Sequence, residues 1–363
     1  MPIREESFRI GCGRYIQGCG HIQKAGEEVV RLGSSPLIIG GKTALSVAKN
    51  DLEKSISKNC NKYEFITHTG TCNETDAKEI AAYADKKGYD VIVGVGGGVI
   101  CDFAKLCAFF AAAPLINIPT SSATCAAYTP LSVCYTPEGK TVGTRHYEYE
   151  VDCVIVDTNI IAAQPVRLFL AGVFDSLAKF LEIKHRFCET DEHYPIGLDY
   201  AYAMSKHSYK LLTSRTQKYI DDVQNGKISD DVENIIFTAI AATGVISGIA
   251  RGSNQTALAH KFYENTRYLF PESAKPYLHG EIVGVGLLLQ NHYNGEEENN
   301  PSLIELMKKY DMPYRVSDVG ADQNEEAFDA YYARISASSA IDKDNADECE
   351  KFKASLRYLW NIR

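Results

Sequence analysis

Asp90-Val91-Ile92-Val93-Gly94-Val95 runs without a break into Gly96-Gly97-Gly98, and then into Val99-Ile100-Cys101-Asp102-Phe103-Ala104-Lys105. A short β-branched run bounded by glycine has the length and composition of a strand buried in a parallel sheet, and helical spacing of apolar residues takes over across 102–112. Glycines at such a strand-to-helix turn let backbone N–H groups approach a ligand. The helix N-terminus adds partial positive charge, so a pyrophosphate fits here, a tight turn without a ligand being the plain alternative. The turn is not the Gly-x-Gly-x-x-Gly dinucleotide fingerprint, because Val99 stands where the last glycine belongs.

The same rhythm extends on both sides. Residues 35–41 read as a strand and 43–57 as a helix, 64–67 and 74–87 repeat the pair, and 115–118 form a further strand. Alternation at this spacing implies βαβ units with right-handed crossovers and an open parallel sheet. Residues 132–135 and 141–149 alternate like antiparallel strands around 137–140, predicting a hairpin inserted before a last strand at 153–157. Beyond Pro165 the β-branched runs stop and helical periods such as 232–249 and 303–310 take over, so the fold class is α/β followed by an all-helical part. The domains are placed at 1–162 and 163–363. Residues 296–301 read as a solvated loop closed by a helix-starting proline.

Gly41-Lys42-Thr43 looks like the end of a phosphate-binding P-loop, but the first glycine of that motif would have to be residue 36, which is Pro36. Gly40 and Gly41 instead end the first strand, where dinucleotide folds place an acid that binds ribose hydroxyls. Lys42 offers a cation there, as a 2′-phosphate would favour. NADP(H) is therefore expected ahead of NAD(H).

With 363 residues, 45% hydrophobic, and only 12 Pro and 27 Gly, the chain is neither disordered nor fibrous and has the length of two domains. Thirty-eight basic against 47 acidic residues leave a charge of −9, which repels phosphate backbones and argues against nucleic-acid or acidic-membrane partners. The apolar stretch 103–115 is interrupted by Lys105 and too short to span a bilayer, so no membrane segment is expected. The Met-Pro-Ile-Arg-Glu-Glu start has no apolar core of a signal peptide, and a cytoplasmic protein is expected. Eleven cysteines, an odd number never spaced Cys-x-x-Cys, read mainly as small buried side chains rather than a disulfide or thiolate-zinc framework.

Three side chains stand out as candidate metal ligands. His260 sits on the small-residue face of Thr256-Ala257-Leu258-Ala259-His260, His279 precedes Gly280 at the start of the apolar helix 282–289, and Asp175 interrupts the apolar face of Gly172-Val173-Phe174-Asp175-Ser176-Leu177-Ala178-Lys179. An unpaired buried carboxylate is costly, so Asp175 calls for a cation, and two histidines with one carboxylate and open positions suit Zn²⁺ or Fe²⁺.

Taken together, Tyr15-Ile16-Gln17-Gly18, Gly96-Gly97-Gly98-x-x-x-Asp102-x-x-Lys105, Pro119-Thr120, Leu131-Ser132-Val133-x-Tyr135, Val154-x-Val156-Asp157-Thr158, Gly172-x-x-Asp175-x-Leu177-Ala178, Ala259-His260 and His279-Gly280-Glu281-x-Val283 resemble the iron-containing alcohol dehydrogenase superfamily, in its glycerol dehydrogenase-like branch, over nearly the whole chain. The resemblance implies a Rossmann-like parallel-sheet domain followed by an all-helical domain, the dehydroquinate synthase-like fold, with the active site in the cleft between them. By carry-over Asp175, His260 and His279 are the ligands of a divalent metal. Gly96, Gly97, Gly98 and Asp102 hold the pyrophosphate, and Thr120, Thr129, Leu131 and Tyr135 lie along the cofactor. Lys179 stands where iron-dependent relatives have a fourth histidine ligand, which favours a three-ligand, zinc-type site. Relatives assemble as dimers or octamers, so a homo-oligomer is expected.

Departures from the pattern bear on the substrate. Cys125 occupies the place of an acid that touches the polyol in glycerol dehydrogenases, Val99 replaces a lysine after the glycines, and Tyr263 replaces a histidine three residues after His260. Losing an anion from the pocket eases entry of an anionic substrate. The string Ala123-Thr124-Cys125-Ala126-Ala127-Tyr128-Thr129-Pro130-Leu131-Ser132 is similar to a hydroxycarboxylate dehydrogenase subgroup that reduces 2-oxo acids with NADPH. Cys125 and Tyr263 are thus candidate substrate-pocket residues, and the expected reaction is metal-assisted hydride transfer between a nicotinamide cofactor and a 2-hydroxycarboxylate. An NAD-dependent glycerol or polyol dehydrogenase is the alternative. A dehydroquinate synthase-like carbon–oxygen lyase would need more basic residues than the Lys261, Arg267 and Lys275 available in 257–280.

Overall fold

The computed structural model describes residues 10–186 and 195–363, which form two compact units: 10–165 with 214–248, and 166–186 and 195–213 with 249–363. In the first unit six strands build one parallel sheet: β1 (Tyr15–Gly18), β2 (Pro36–Gly40), β3 (Glu64–Thr67), β4 (Val91–Gly96), β5 (Leu115–Pro119) and, after the hairpin β6 (Leu131–Tyr135) and β7 (Thr141–His146), β8 (Cys153–Asp157). Their order is β1-β8-β5-β4-β2-β3. The helices α1 (Ala25–Leu32) and α2 (Lys42–Asn59) pack Val29, Leu45, Leu52 and Ile56 on Ile38, Val93, Ile116 and Ile155 of one sheet face. After α3 (Glu74–Lys87), the helix α4 (Gly98–Ala111) covers the other face, so closely that a Cβ on Gly94 would lie 2.5 Å from that of Ala104. From β2 the chain proceeds towards β3 and from β4 in the opposite direction towards β5. The strand order therefore reverses between β2 and β4, the place where open α/β sheets take ligands beyond their carboxyl ends.

The β-branched runs of the sequence become β2 to β5 and β8, and the expected hairpin is present as an antiparallel pair with a bulge at Cys134/Tyr135. Edge strand β1 has no such run. It is only four residues long and is fixed by parallel pairing with β8 and by Asp157, which accepts N–H bonds from Gly20 and Ile22 at 3.1 and 3.0 Å while capping α5 (Thr158–Ala162) through Asn159.

After α6 (Val166–Arg186), the long helix α7 (Ile196–Gln224) leads into α8 (Asp230–Phe237), a π-helical turn (Thr238–Ala242) and α9 (Thr243–Ala250). The segment 214–248 belongs to the sheet-bearing unit, whereas the contiguous division read from the sequence gives it to the helical domain. Gln17 Nε2 donates to the Glu233 carbonyl and carboxylate at 2.8 and 2.6 Å, and Thr158 donates to the same carboxylate at 2.9 Å. The run Asp230–Ala250 is long and apolar enough to cross a bilayer, but 61% of its apolar window is buried inside the protein, as in a core helix.

The second unit contains only helices among its described residues: α6, the start of α7, α10 (Leu258–Leu269), α11 (Pro271–Ala274), α12 (His279–Asn294), α13 (Asn300–Lys309), α14 (Glu325–Ser336) and α15 (Ala346–Trp360), with short 3-10 turns between some of them. Its core gathers Phe262, Leu288, Phe328, Tyr331, Phe352 and Trp360. Pro301 stands in the first turn of α13, as the sequence predicts.

Candidate metal centre and dinucleotide loops

Three glycines of α12 determine how near its neighbours come. A Cβ on Gly280 would lie 1.8 Å from the Ala171 carbonyl of α6, one on Gly284 2.9 Å from the Phe174 ring, and one on Gly286 2.7 Å from the Ala259 carbonyl of α10. Backbone thus packs on backbone at the point where α6 carries Asp175, α10 carries His260, and α12 begins with His279. The turn before α12 is held by two arginines. Arg267 donates to the carbonyls of Ala274 and Tyr277, and Arg167 donates to that of Pro276 while pairing through two nitrogens with buried Glu281 at 2.6 and 2.7 Å. Glu281 in turn accepts the Leu278 N–H at the helix start, at 2.7 Å.

One ligating atom from each of Asp175, His260 and His279 lies within 4.8 Å of the others. The Nε2 atoms of His260 and His279 stand 3.4 and 3.5 Å from the same Asp175 Oδ1. That oxygen is buried and accepts no hydrogen bond. Two ligands bonded at about 2.1 Å to a tetrahedral ion are about 3.4 Å apart, so the spacing is that of donors aimed at a shared cation. The residues present therefore fit a divalent metal. Asp175 and His260 are buried, while the His279 side chain is 30% exposed, leaving an open side for a further ligand.

The electrostatics agree. Burial alone would raise the Asp175 carboxyl, yet the two imidazoles and Lys179 hold it well below the usual carboxylate range. Burial likewise opposes a charge on His260, but Glu182 and Asp175 push its pKa up to about 9, the response of an imidazole in a site that attracts positive charge. Glu182 is fully buried. Its Oε2 meets His260 Nδ1 at 2.5 Å, and its Oε1 accepts the N–H groups of Ala257 and His260 at 2.7 and 2.9 Å. A carboxylate on Nδ1 fixes that nitrogen as the donor, so that when a cation displaces the other proton the Nε2 lone pair faces the Asp175 side. Tyr263 lies edge-on to His279, with ring centroids 4.2 Å apart, and the Arg267 guanidinium lies over the Tyr263 ring.

The dinucleotide candidates converge in the sheet-bearing unit. Gly41 N–H donates to the Val95 carbonyl at 3.3 Å, and Thr120 N–H to that of Gly96 at 3.0 Å, which joins the loops after β2, β4 and β5. A Cβ on Gly98 would lie 2.8 Å from Thr124 Oγ1. Gly97 precedes the first turn of α4 and no side chain caps that turn, leaving backbone donors available there. Lys42, exposed, is the first residue of α2. Leu131 and Tyr135 lie on one face of β6, partly exposed, and Cys125 sits in the turn whose carbonyl accepts the N–H groups of Tyr128 and Thr129.

Asp102, expected at the pyrophosphate, is engaged from within the protein. It is 6% exposed, pairs with Lys105 Nζ at 2.8 Å and accepts the Val133 N–H at 3.0 Å, while Lys105 donates to the carbonyls of Ala126, Thr129 and Leu131. The pair ties α4 to the 121–131 loop and to β6. Asp102 thereby shapes the loops from beneath.

The iron-containing alcohol dehydrogenase family model matches residues 12–158. Hydroxycarboxylate dehydrogenase A of Escherichia coli K12 is 30% identical over 80% of this chain and 78% of its own length. The chain belongs to the iron-containing alcohol dehydrogenase family. It is an enzyme of the alcohol/hydroxycarboxylate dehydrogenase kind. A glycerol dehydrogenase from Pseudomonas putida is 29% identical over 81% of this chain and 79% of its own. In fold the dehydrogenase is similar to the crystal structure of glycerol dehydrogenase from Schizosaccharomyces pombe, at 19% identity and a TM-score of 0.81 over 99% of this chain and 91% of that one.

Two groups at this dehydrogenase's candidate metal centre escape a reading by motif: Glu182 and the packing glycines Gly284 and Gly286. A sequence signal for the first exists. Asp175, Lys179 and Glu182 recur at helical spacing on one otherwise apolar face of α6, three charged groups where burial allows none without partners.

Proposed function

We propose that the protein transfers hydride reversibly between NADP(H) and a small 2-hydroxycarboxylate or its 2-oxo acid, using a divalent metal, zinc ahead of iron, held by Asp175, His260 and His279. The observation that carries the reading is the buried Asp175 Oδ1 without a hydrogen-bond partner, with two imidazole nitrogens at 3.4 and 3.5 Å. A bound divalent cation supplies Lewis-acid polarisation of the substrate oxygen. Glu182 keeps the proton on His260 Nδ1, Asp175 stays ionised, and the partly exposed side at His279 is where substrate enters, with Tyr263 along it. The cofactor carries the hydride, and the protein's task is to hold and orient it. Backbone donors at Gly97 and Gly98 take the pyrophosphate, and Thr120, Thr129, Leu131 and Tyr135 flank the rest.

For the cofactor phosphate, Lys42 is the supporting feature. A cation at the first position of a helix opposes the helix dipole, and a 2′-phosphate beside it would offset that cost. Replacing Lys42 with Ala should raise KM for NADPH about tenfold, the worth of one charge-assisted contact of about 1.4 kcal/mol, with little change for NADH. Equal loss with both cofactors would remove the preference.

For the substrate, Cys125 leaves the 121–130 turn without an acid, and the E. coli relative's name is that of a hydroxycarboxylate enzyme. A polyol such as glycerol with NAD is the second reading, supported by the glycerol dehydrogenase relative. The discriminating experiment follows nicotinamide absorbance with the zinc-loaded enzyme, offering NADPH and NADH with a panel of 2-oxo acids and running glycerol oxidation alongside. Turnover of 2-oxo acids with NADPH supports the proposal, and turnover of glycerol alone gives the site to the polyol reading. The same reading makes the enzyme a cytoplasmic homo-oligomer, the assembly to be measured by sedimentation.

A further inference from the structure

Lys179 is 6% exposed, one helical turn beyond Asp175 on the same face of α6. Its one hydrogen bond among the described residues is to a neutral amide, Gln255 Oε1, at 3.2 Å, and none of their carboxylate oxygens lies within 4.0 Å of its Nζ. Its charge is nevertheless felt at both Asp175 and His260. A buried ammonium with a single neutral acceptor, placed beside a site that takes a cation, is doubly unfavourable unless an anion completes it. Lys105, the other deeply buried lysine of this chain, shows what completion looks like: a carboxylate and three carbonyls.

We infer that Lys179 is the group that pairs with the substrate carboxylate, so that the metal and the ammonium together select a carboxylate bearing an oxygen on the adjacent carbon. This rests on the 2-hydroxycarboxylate reading above and names the recognition residue for it. Charge supports the match. Two buried carboxylates, Asp175 and Glu182, one ammonium, Lys179, and a divalent cation in place sum to one positive charge in the cluster. A monocarboxylate neutralises that charge and a neutral polyol does not. Lys179 is thus a specificity residue, contacting the carboxylate rather than the carbon that receives hydride.

The test compares wild type, Lys179→Met and Lys179→Arg in the zinc-loaded enzyme, with pyruvate and its uncharged counterpart hydroxyacetone as paired substrates, and measures oxamate binding calorimetrically in the presence of cofactor. The ratio of kcat/KM for pyruvate over hydroxyacetone should fall at least 50-fold in Lys179→Met, mostly through KM, and partly recover in Lys179→Arg. Oxamate should bind wild type and weaken at least 30-fold in Lys179→Met, while zinc affinity stays equal or rises because a repelling charge has gone. An unchanged substrate ratio, unchanged oxamate affinity, or a loss of zinc affinity matching the loss of activity would overturn the assignment. If wild type turns over polyols alone yet binds oxamate through Lys179, the carboxylate site stands and the substrate reading fails. If wild type binds no oxamate, the carboxylate site itself is refuted.

Discussion

At His260 the ring nitrogen turned away from Asp175 meets Glu182 Oε2 at 2.5 Å, and the other oxygen of Glu182 is held by two backbone N–H groups. The imidazole has one orientation and one tautomer available while Glu182 is a carboxylate. Glu182→Gln keeps the volume and removes the charge, and should weaken zinc binding about 10- to 100-fold, measured by competition with a chelator. Unchanged affinity would mean that Glu182 serves packing alone. At Asp102 and Lys105 the consequence is stability instead. Asp102→Ala leaves Lys105 buried without its carboxylate, and the expected loss is about 3 kcal/mol in urea unfolding, since breaking one side of a buried pair exposes the full cost of the other charge. A loss below about 0.5 kcal/mol would be the value of a surface pair and would place Lys105 in water. Asp175 could be singled out in the sequence because it breaks an apolar face, His260 because small residues surround it, and His279 because it stands at the start of an apolar helix. Glu182 could have been, by its spacing from Asp175, whereas the second role of Asp102 depends on Lys105 and Val133 meeting it, which no spacing reveals.

Among the elements, α12 has the most to lose from a single methyl. The Cβ of an alanine at position 280 would fall 1.8 Å from a backbone carbonyl of α6, and a carbonyl cannot rotate aside as a side chain can. Gly280→Ala should cost about 3 kcal/mol or more and part His279 from Asp175, so thermal stability and zinc affinity fall together. Retention of both would show that α6 and α12 slide without penalty. The strands β2, β4, β5 and β8 were readable because a strand buried on both faces needs a continuous β-branched run, and the helices because their apolar residues recur at helical spacing. Strand β1 was not. Its four residues include Gln17, whose partner Glu233 lies 216 positions away, and 214–248 returns to the sheet-bearing unit through contacts of the same long range.

For the molecule as a whole, the pH dependence of stability carries the mark of His185, near the end of α6. Half-buried, stacked on Tyr293 at 4.6 Å and bonded to Gln290, it has its pKa pushed down by burial, with Arg186 adding to the effect, to about 4 from an ordinary 6.5. Between those values the unfolded chain binds the proton and the folded one does not. Its contribution is therefore fully present above about pH 6.5 and lost as pH falls towards 4. Urea midpoints for wild type and His185→Asn, compared across that window, should converge on acidification; parallel curves would show that His185 does not titrate there. The fold class was legible in outline, a parallel sheet with glycine-rich turns followed by helices, because strand and helix periods are local to their own stretches of sequence.

The most direct test of the metal centre is the metal itself. The enzyme is stripped with a chelator, zinc is returned by titration, and NADPH oxidation with a 2-oxo acid and glycerol oxidation with NAD are both followed against metal content, in wild type and in His260→Ala. Turnover that disappears on stripping, returns in proportion to zinc up to one ion per chain, and stays absent in His260→Ala is the result predicted here. Full turnover in metal-free wild type, or zinc-dependent turnover in His260→Ala equal to wild type, would contradict it.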